Sequence, residues 1–280
     1  MTFLAIVLAF LIVQYWGFGD AAQKDSWYRA WLSRTKAWQT EQPGELQLLI
    51  QVLPPVIVLF LVMSLLSFSV LLQLLIAVPA LLFSFGRGDF SEWVRGYTEA
   101  YHRGDNVAAV QYAERLGVTE LDNTDWSGMH ARVLRQVGYR GFERMFVAIF
   151  WFALLGPIGA LLYRLTSLSL RHEEQADAVR VCAARLLWLL EWPAVRVLGL
   201  SFALTGNFVG CFQRWKDCLL CVKRPTAEVM EHYIHGALNV NDCELVSEQV
   251  TEQEVEALVP LLSRTLILWL CVLALLAIVS

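Results

Sequence analysis

From Leu46 to Gly86 the chain carries no charged residue at all. A helix needs about 20 apolar residues to cross a bilayer, so this run is long enough for two crossings. The cluster Ser64, Ser67 and Ser69 marks the break between them, and Pro54, Pro55 and Pro79 are tolerable where neighbours re-satisfy the backbone. The reading is a tight hairpin of two helices. Thr2 to Phe18 is a further apolar stretch close to the lower limit of roughly 17 residues. Met145 to Leu162 is apolar too, but Gly156-Pro157-Ile158-Gly159 interrupts it, which fits either a span or a re-entrant element. Leu186 to Phe208 contains Glu191, Pro193 and Arg196, which must turn toward protein or a wet cavity. Val259 to Val279 is clean apart from Arg264 near its start.

Between these stretches the polar positions take helical spacing. Phe90, Trp93, Val94, Tyr97 and Tyr101 recur on one helical face, and Gly104-Asp105 then supplies a stop and a new N-cap before Val107 to Leu116. Thr124 or Asp125 can cap a third helix running toward Arg144, with Arg132, Arg135, Arg140 and Arg144 near its membrane end, where arginines snorkel to anionic headgroups. Val229 to Leu245 lacks strong periodicity and reads as a mobile loop beside a short acidic helix. The predicted fold is all-α, a polytopic membrane bundle with cytoplasmic helical insertions. It comprises N-terminal membrane helices over 1–85 (spans near 2–18, 46–65 and 67–85), a cytoplasmic helical segment over 86–144, and a central membrane block with interrupted helices over 145–208. An acidic cytoplasmic segment over 209–258 and a C-terminal membrane helix over 259–280 complete it.

Composition agrees, since 57 % of the residues are hydrophobic and only 17 % are charged, against about a quarter in average soluble domains. The net charge of −4 gives no electrostatic reason to expect nucleic acid. Met1-Thr2-Phe3-Leu4 has no basic residues before the apolar run, so a retained first span is expected over a cleaved signal. With six crossings and the N-terminus outside, the cytoplasmic loops hold sixteen Lys or Arg, while the external loop Arg164 to Arg185 holds four. A re-entrant central element would move that loop inside and improve the asymmetry. Six cysteines without a scaffold rhythm point to reduced thiols.

The candidate chemistry concentrates between two apolar segments, where Arg164, Arg171, His172, Glu173, Asp177, Arg180, Arg185, Glu191 and Arg196 gather. Ionisable groups in such a place are a functional hypothesis by default. Glu173, Asp177 and Arg180 share a helical face, and Arg185 and Arg196 return to nearly one azimuth. Arg164, Glu173, Asp177, Arg180, Arg185, Glu191 and Arg196 are therefore the candidate ligand-binding residues, suited to an anionic ligand. The alternative is that they pair with one another to seat the helices. Cys218-x2-Cys221 with His232-x2-His235 is a weak zinc pattern, because the His spacing is tighter than usual, and no metal site is expected. Neither a Walker motif, a G-x-G-x-x-G fingerprint nor a hydrolase motif is readable, and the cofactor is left unknown.

The run Gly156-Pro157-Ile158-Gly159-Ala160-Leu161-Leu162-Tyr163-Arg164-Leu165, then Ala183-Ala184-Arg185-Leu186, Glu191-Trp192-Pro193-Ala194-Val195-Arg196 and Leu198-Gly199-Leu200-Ser201-Phe202-Ala203-Leu204, resembles the AmpE family. That resemblance implies a multi-pass protein of the bacterial inner membrane that modulates beta-lactamase induction, a response tied to cell-wall recycling. Its implied partners are the lipid bilayer, an anionic or cell-wall-derived small ligand, and a protein of the same regulatory pathway. The central block is also similar to the cobalamin-biosynthesis membrane enzymes of the CobD and CbiB type, which carry an Asp-Asp pair after Ala-Arg-Leu. Leu187-Trp188 stands there in this chain and cannot bind a hard cation. The rival reading is a ligase or transferase on that scaffold, acting on a phosphorylated or nucleotide substrate, with Glu173, Asp177 or Glu191 as its acid-base or metal groups. A transporter of cell-wall fragments is a third reading.

Overall fold

The computed structural model describes residues 2–16, 25–36, 43–86, 90–119, 125–172, 175–238 and 252–279. Among them the chain is helical throughout, as α1 (Thr2–Trp16), α2 (Ser26–Lys36), α3 (Gly44–Leu65), α4 (Val70–Ser84), α5 (Phe90–His102), α6 (Asn106–Arg115) and α7 (Trp126–Gly141). A π-helical turn, Phe142–Phe146, then leads into α8 (Val147–Leu155), α9 (Pro157–Arg171), α10 (Asp177–Thr205), α11 (Phe208–Cys218), α12 (Thr226–Ala237) and α13 (Glu252–Val279). The protein is an all-α helical membrane protein. Three helices, α3, α10 and residues Gln253–Val279 of α13, are long and apolar enough to cross a bilayer, and Thr2–Val13 and Val70–Ser84 are shorter apolar helices.

The helices divide into two compact units. The first comprises Met1–Arg87, Glu143–Pro193 and Leu276–Ser280, and the second Gly88–Phe142 and Ala194–Leu275. Two of the divisions fall where helical hydrogen bonding is already disturbed, in the π-turn at Phe142–Glu143 and at Pro193 inside α10.

In the first unit α8, α4 and α3 pack on α9, α1 packs on α4, and α2 lies on α3. Its core joins Tyr28 and Leu32 of α2 to Leu48, Val52 and Val56 of α3, Phe83 of α4 and Leu161 and Leu165 of α9. Only 22 % of the apolar window of α3 is covered by protein, which leaves Ile57, Val58, Phe60 and Leu61 facing outward as lipid-contacting side chains do. By contrast 61 % of the α10 window is buried, as a helix carrying Glu191 and Arg196 requires. α3 and α4, each packed on α9, are joined by a turn where the serines stand, with Ser67 N–H donating to the Ser64 carbonyl (3.2 Å) and Ser69 N–H to that of Leu66 (3.2 Å). Gly156 separates α8 from α9 at φ 67° and ψ −158°, a region open almost solely to glycine. Pro157 follows at the first position of α9, where its missing N–H costs nothing.

In the second unit α5 pairs with α6, and α12 packs on α11 and α7. The Asp105 side chain caps α6 by accepting from Ala108 N–H (3.0 Å), and Asp125 caps α7 through Gly128 N–H (2.9 Å). Thr124, the alternative cap, lies outside the described residues. α12 corrects the aperiodic reading of Val229 to Leu245: Val229, Met230, Tyr233, Ile234 and Ala237 are all buried at helical spacing. A window extended to residue 245 dilutes that stripe. Arg135, one of the arginines expected near the membrane, pairs with Glu231 of α12 (2.6 Å).

Proline removes the N–H that would bond to the carbonyl four residues earlier, so Pro55 frees that of Gln51. The indole of Trp31 donates to it at 3.0 Å, pinning α2 to the break in α3. Trp31→Phe is expected to cost about 1 kcal/mol of unfolding free energy in detergent, the usual net worth of such a bond. In a Pro55→Ala background, where the backbone N–H returns, that cost is expected to shrink toward zero. An undiminished cost in the double variant counts against the assignment.

Candidate functional site

In the first unit, α9 presents Tyr163, Arg164, Ser167 and Arg171 on one face, and each meets a polar group from another part of the chain. Arg164 Nη2 donates to Asp25 Oδ1 at 3.5 Å, both side chains being about 5 % exposed (6 % and 4 %). The same guanidinium stands over the Phe83 ring, 5.9 Å from its centroid. Glu143, delivered by the π-turn, accepts from Ser167 Oγ (2.8 Å) and pairs with Arg171. Tyr163 donates to Glu191 Oε1 of α10 at 3.2 Å. From the same helix as Tyr163, Ser169 Oγ hydrogen-bonds the Tyr28 hydroxyl (2.7 Å). Burial holds that phenol above its ordinary pKa, partly offset by the Ser169 bond.

Beside this network a cavity of about 250 Å³ opens, lined by Asp25, Tyr28, Arg29, Leu32, Leu168, Arg171 and His172. Asp25, Tyr28, Arg29 and Leu32 follow i, i+3, i+4, i+7 spacing, so one face of α2 forms a wall. Among the described residues, the lining and the network beside it hold three arginines (Arg29, Arg164, Arg171) against two carboxylates (Asp25, Glu143). That balance is complementary to negative charge.

The sequence-predicted residues distribute unevenly. Arg164 sits in the network, and Glu191 joins it through Tyr163. Arg180 is half-buried with Nη2 donating to the His172 carbonyl at 3.5 Å, whereas Asp177 and Arg185 are exposed on α10. Glu173 lies outside the described residues. α10 begins at Asp177, which shares that helix with Arg180. Leu187, in the place of the first acidic residue of the cobalamin enzymes' pair, is buried and Trp188 half-buried. Asp25 and Glu143, which complete the network, were not among the sequence candidates. Their only signal is a carboxylate at the edge of an apolar or aromatic run, Asp25-x2-Tyr28 and Glu143-Arg144-Met145-Phe146.

Arg196 belongs to the second unit. Its Nη2 donates to the carbonyls of Cys221 (2.6 Å) and Cys218 (3.4 Å) and its Nε to that of Leu219 (3.4 Å), so it caps the C-terminal end of α11. Trp215 Nε1 in turn donates to the Arg196 carbonyl (2.8 Å). Cys218 is buried at that helix end, which raises its thiol pKa. No three His, Cys, Asp or Glu side chains among the described residues come together as a metal site would require. His235 Nε2 lies 4.0 Å from Glu231 Oε1, but burial first, then Arg214, His232 and Arg135, lower its pKa to about 4. At neutral pH that contact therefore joins a neutral imidazole to a carboxylate and is not an ion pair.

An all-helical membrane protein with an ion network buried beside a cationic cavity is the class defined so far. The chain belongs to the family described as "Regulatory signalling modulator protein AmpE", which matches residues 1–280. It is also 24 % identical over 176 residues to the "Cobalamin biosynthesis protein CobD" of Chromobacterium violaceum, a match covering 61 % of this chain and 56 % of the relative. The chain thus spans little more than half the length of that curated relative. No solved structure matches.

The depressed pKa of His235 makes the unfolded chain the better proton binder between about pH 6.5 and about pH 4. Its contribution to stability is present above pH 6.5 and is lost as pH falls through that window. His235→Phe is expected to flatten the decline in chemical unfolding measured at successive pH values; an unchanged slope contradicts the burial of a neutral imidazole.

Proposed function

We propose that the protein is a regulator that modulates beta-lactamase induction in connection with cell-wall recycling, working as a multi-pass protein of the bacterial inner membrane. Its input is an anionic small ligand derived from the cell wall and bound in the cavity between α2 and α9. The family description, a regulatory signalling modulator, supports the regulatory part of this reading. The cavity carries the rest: Arg29, Arg171 and His172 line it together with a single carboxylate, Asp25, which already faces Arg164. Cell-wall fragments bear carboxylates, and charge-assisted bonds from guanidinium to carboxylate are the strong, directional kind. Arg164 and Glu191 hold the shape of the site, and Arg180 braces the His172 end through its carbonyl. The excess of Lys and Arg in the loops assigned to the cytoplasm favours the N-terminus-out orientation.

The test is complementation of a strain lacking the protein, with inducible beta-lactamase as the readout. Arg29→Ala and His172→Ala are expected to shift the inducer concentration needed for half-maximal response, each weakening ligand binding by about 10- to 100-fold, the worth of one charge-assisted bond. Membrane levels of both variants are expected to stay at the parental value. Parental inducibility in both variants would remove the cavity from the account.

A further inference from the structure

The opposite face of α2 lines a second cavity, of about 520 Å³, within the range of about 300–1,000 Å³ that small-molecule sites occupy. Trp27, Trp31 and Arg34 contribute to it from α2 at i, i+4 and i+7, one stripe that runs from two indoles to a guanidinium. Across from them stand Pro54, Pro55 and Val58 of the membrane helix α3, where the paired prolines remove two backbone donors, and Leu161 of α9 closes the floor. The Trp31 N–H is already committed to the Gln51 carbonyl, so the ring offers the cavity only its apolar surface. Arg34 is the one cation among the described lining residues.

We propose that this cavity binds one acyl chain of an anionic phospholipid, whose phosphate is held by Arg34. Three observations select that occupant. The walls are apolar and belong partly to a helix whose outward residues contact lipid: Val58 itself is 59 % exposed. The cation among the described lining residues is an exposed arginine, complementary to a phosphate and long enough to follow it to the interface. Tryptophans at the boundary of apolar and polar surface are the side chains that bilayer interfaces favour. The site is separate from the polar cavity, which uses the other face of the same helix, and it does not depend on the regulatory reading.

Native mass spectrometry of the purified full chain tests it, with equimolar dioleoyl phosphatidylglycerol and phosphatidylcholine offered in mild detergent. The wild-type chain is expected to retain phosphatidylglycerol with about a five-fold preference, the effect of one basic residue on an anionic lipid. Arg34→Gln is expected to bring that preference to parity. Val58→Trp, at an outward position that tolerates a larger apolar side chain, fills the cavity and is expected to lose the retained lipid of both headgroups. An unaltered preference in Arg34→Gln, or full lipid retention in Val58→Trp, overturns the proposal.

Discussion

A charge in contact with hydrocarbon is unstable unless another group answers it, and the first unit is organised around that constraint. Arg164, Glu143 and Glu191 are nearly removed from solvent inside this unit. Each meets a partner contributed by a different helix or connection: Asp25, Ser167 with Arg171, and Tyr163. Because breaking a buried pair exposes a single charge to a low-dielectric interior, each contact constrains where its helices can sit. The π-turn at Phe142–Phe146 serves the same end, shifting the helical register where Glu143 and Arg144 must both turn inward.

The backbone obeys a parallel rule, since a carbonyl released by proline inside an apolar helix needs a donor. Trp31 supplies one to Gln51, the carbonyl that Pro55 frees in α3; Trp151 likewise donates across helices to the Leu190 carbonyl (2.9 Å), in the turn before Pro193. Indole is suited to this task because it carries a single donor on a large apolar body. The short helix α2 thereby becomes a partition. Asp25, Tyr28 and Arg29 face a polar cavity, while Trp27, Trp31 and Arg34 face an apolar one, so two chemically different surfaces share one short helix and the residue before it.

Much of this architecture is legible in the sequence wherever one signal acts alone. The uncharged run from Leu46 to Gly86 dictates a hairpin, its serines mark the turn, Asp105 and Asp125 announce caps, and Gly156-Pro157 announces a break. The site was less legible because its members come from distant places. Arg164 and Glu191 stand out as charges in apolar surroundings. Asp25 sits beside a polar stretch that resembles any solvated loop, and Glu143 precedes an ordinary apolar helix; only packing against α9 gives them meaning. Arg196 shows the converse, since a conspicuous intramembrane arginine is occupied in capping α11, through carbonyls 22 to 25 residues away that no spacing rule reaches.

The measurement that bears most directly on the sheltered ion network is a double-mutant cycle on Asp25 and Arg164, with unfolding followed in mixed micelles. The account predicts that Asp25→Leu and Arg164→Met each cost on the order of 3–5 kcal/mol, and that the double variant costs clearly less than their sum, because no lone charge is left behind. Single costs below about 1 kcal/mol that simply add, as for an exposed pair, would contradict it.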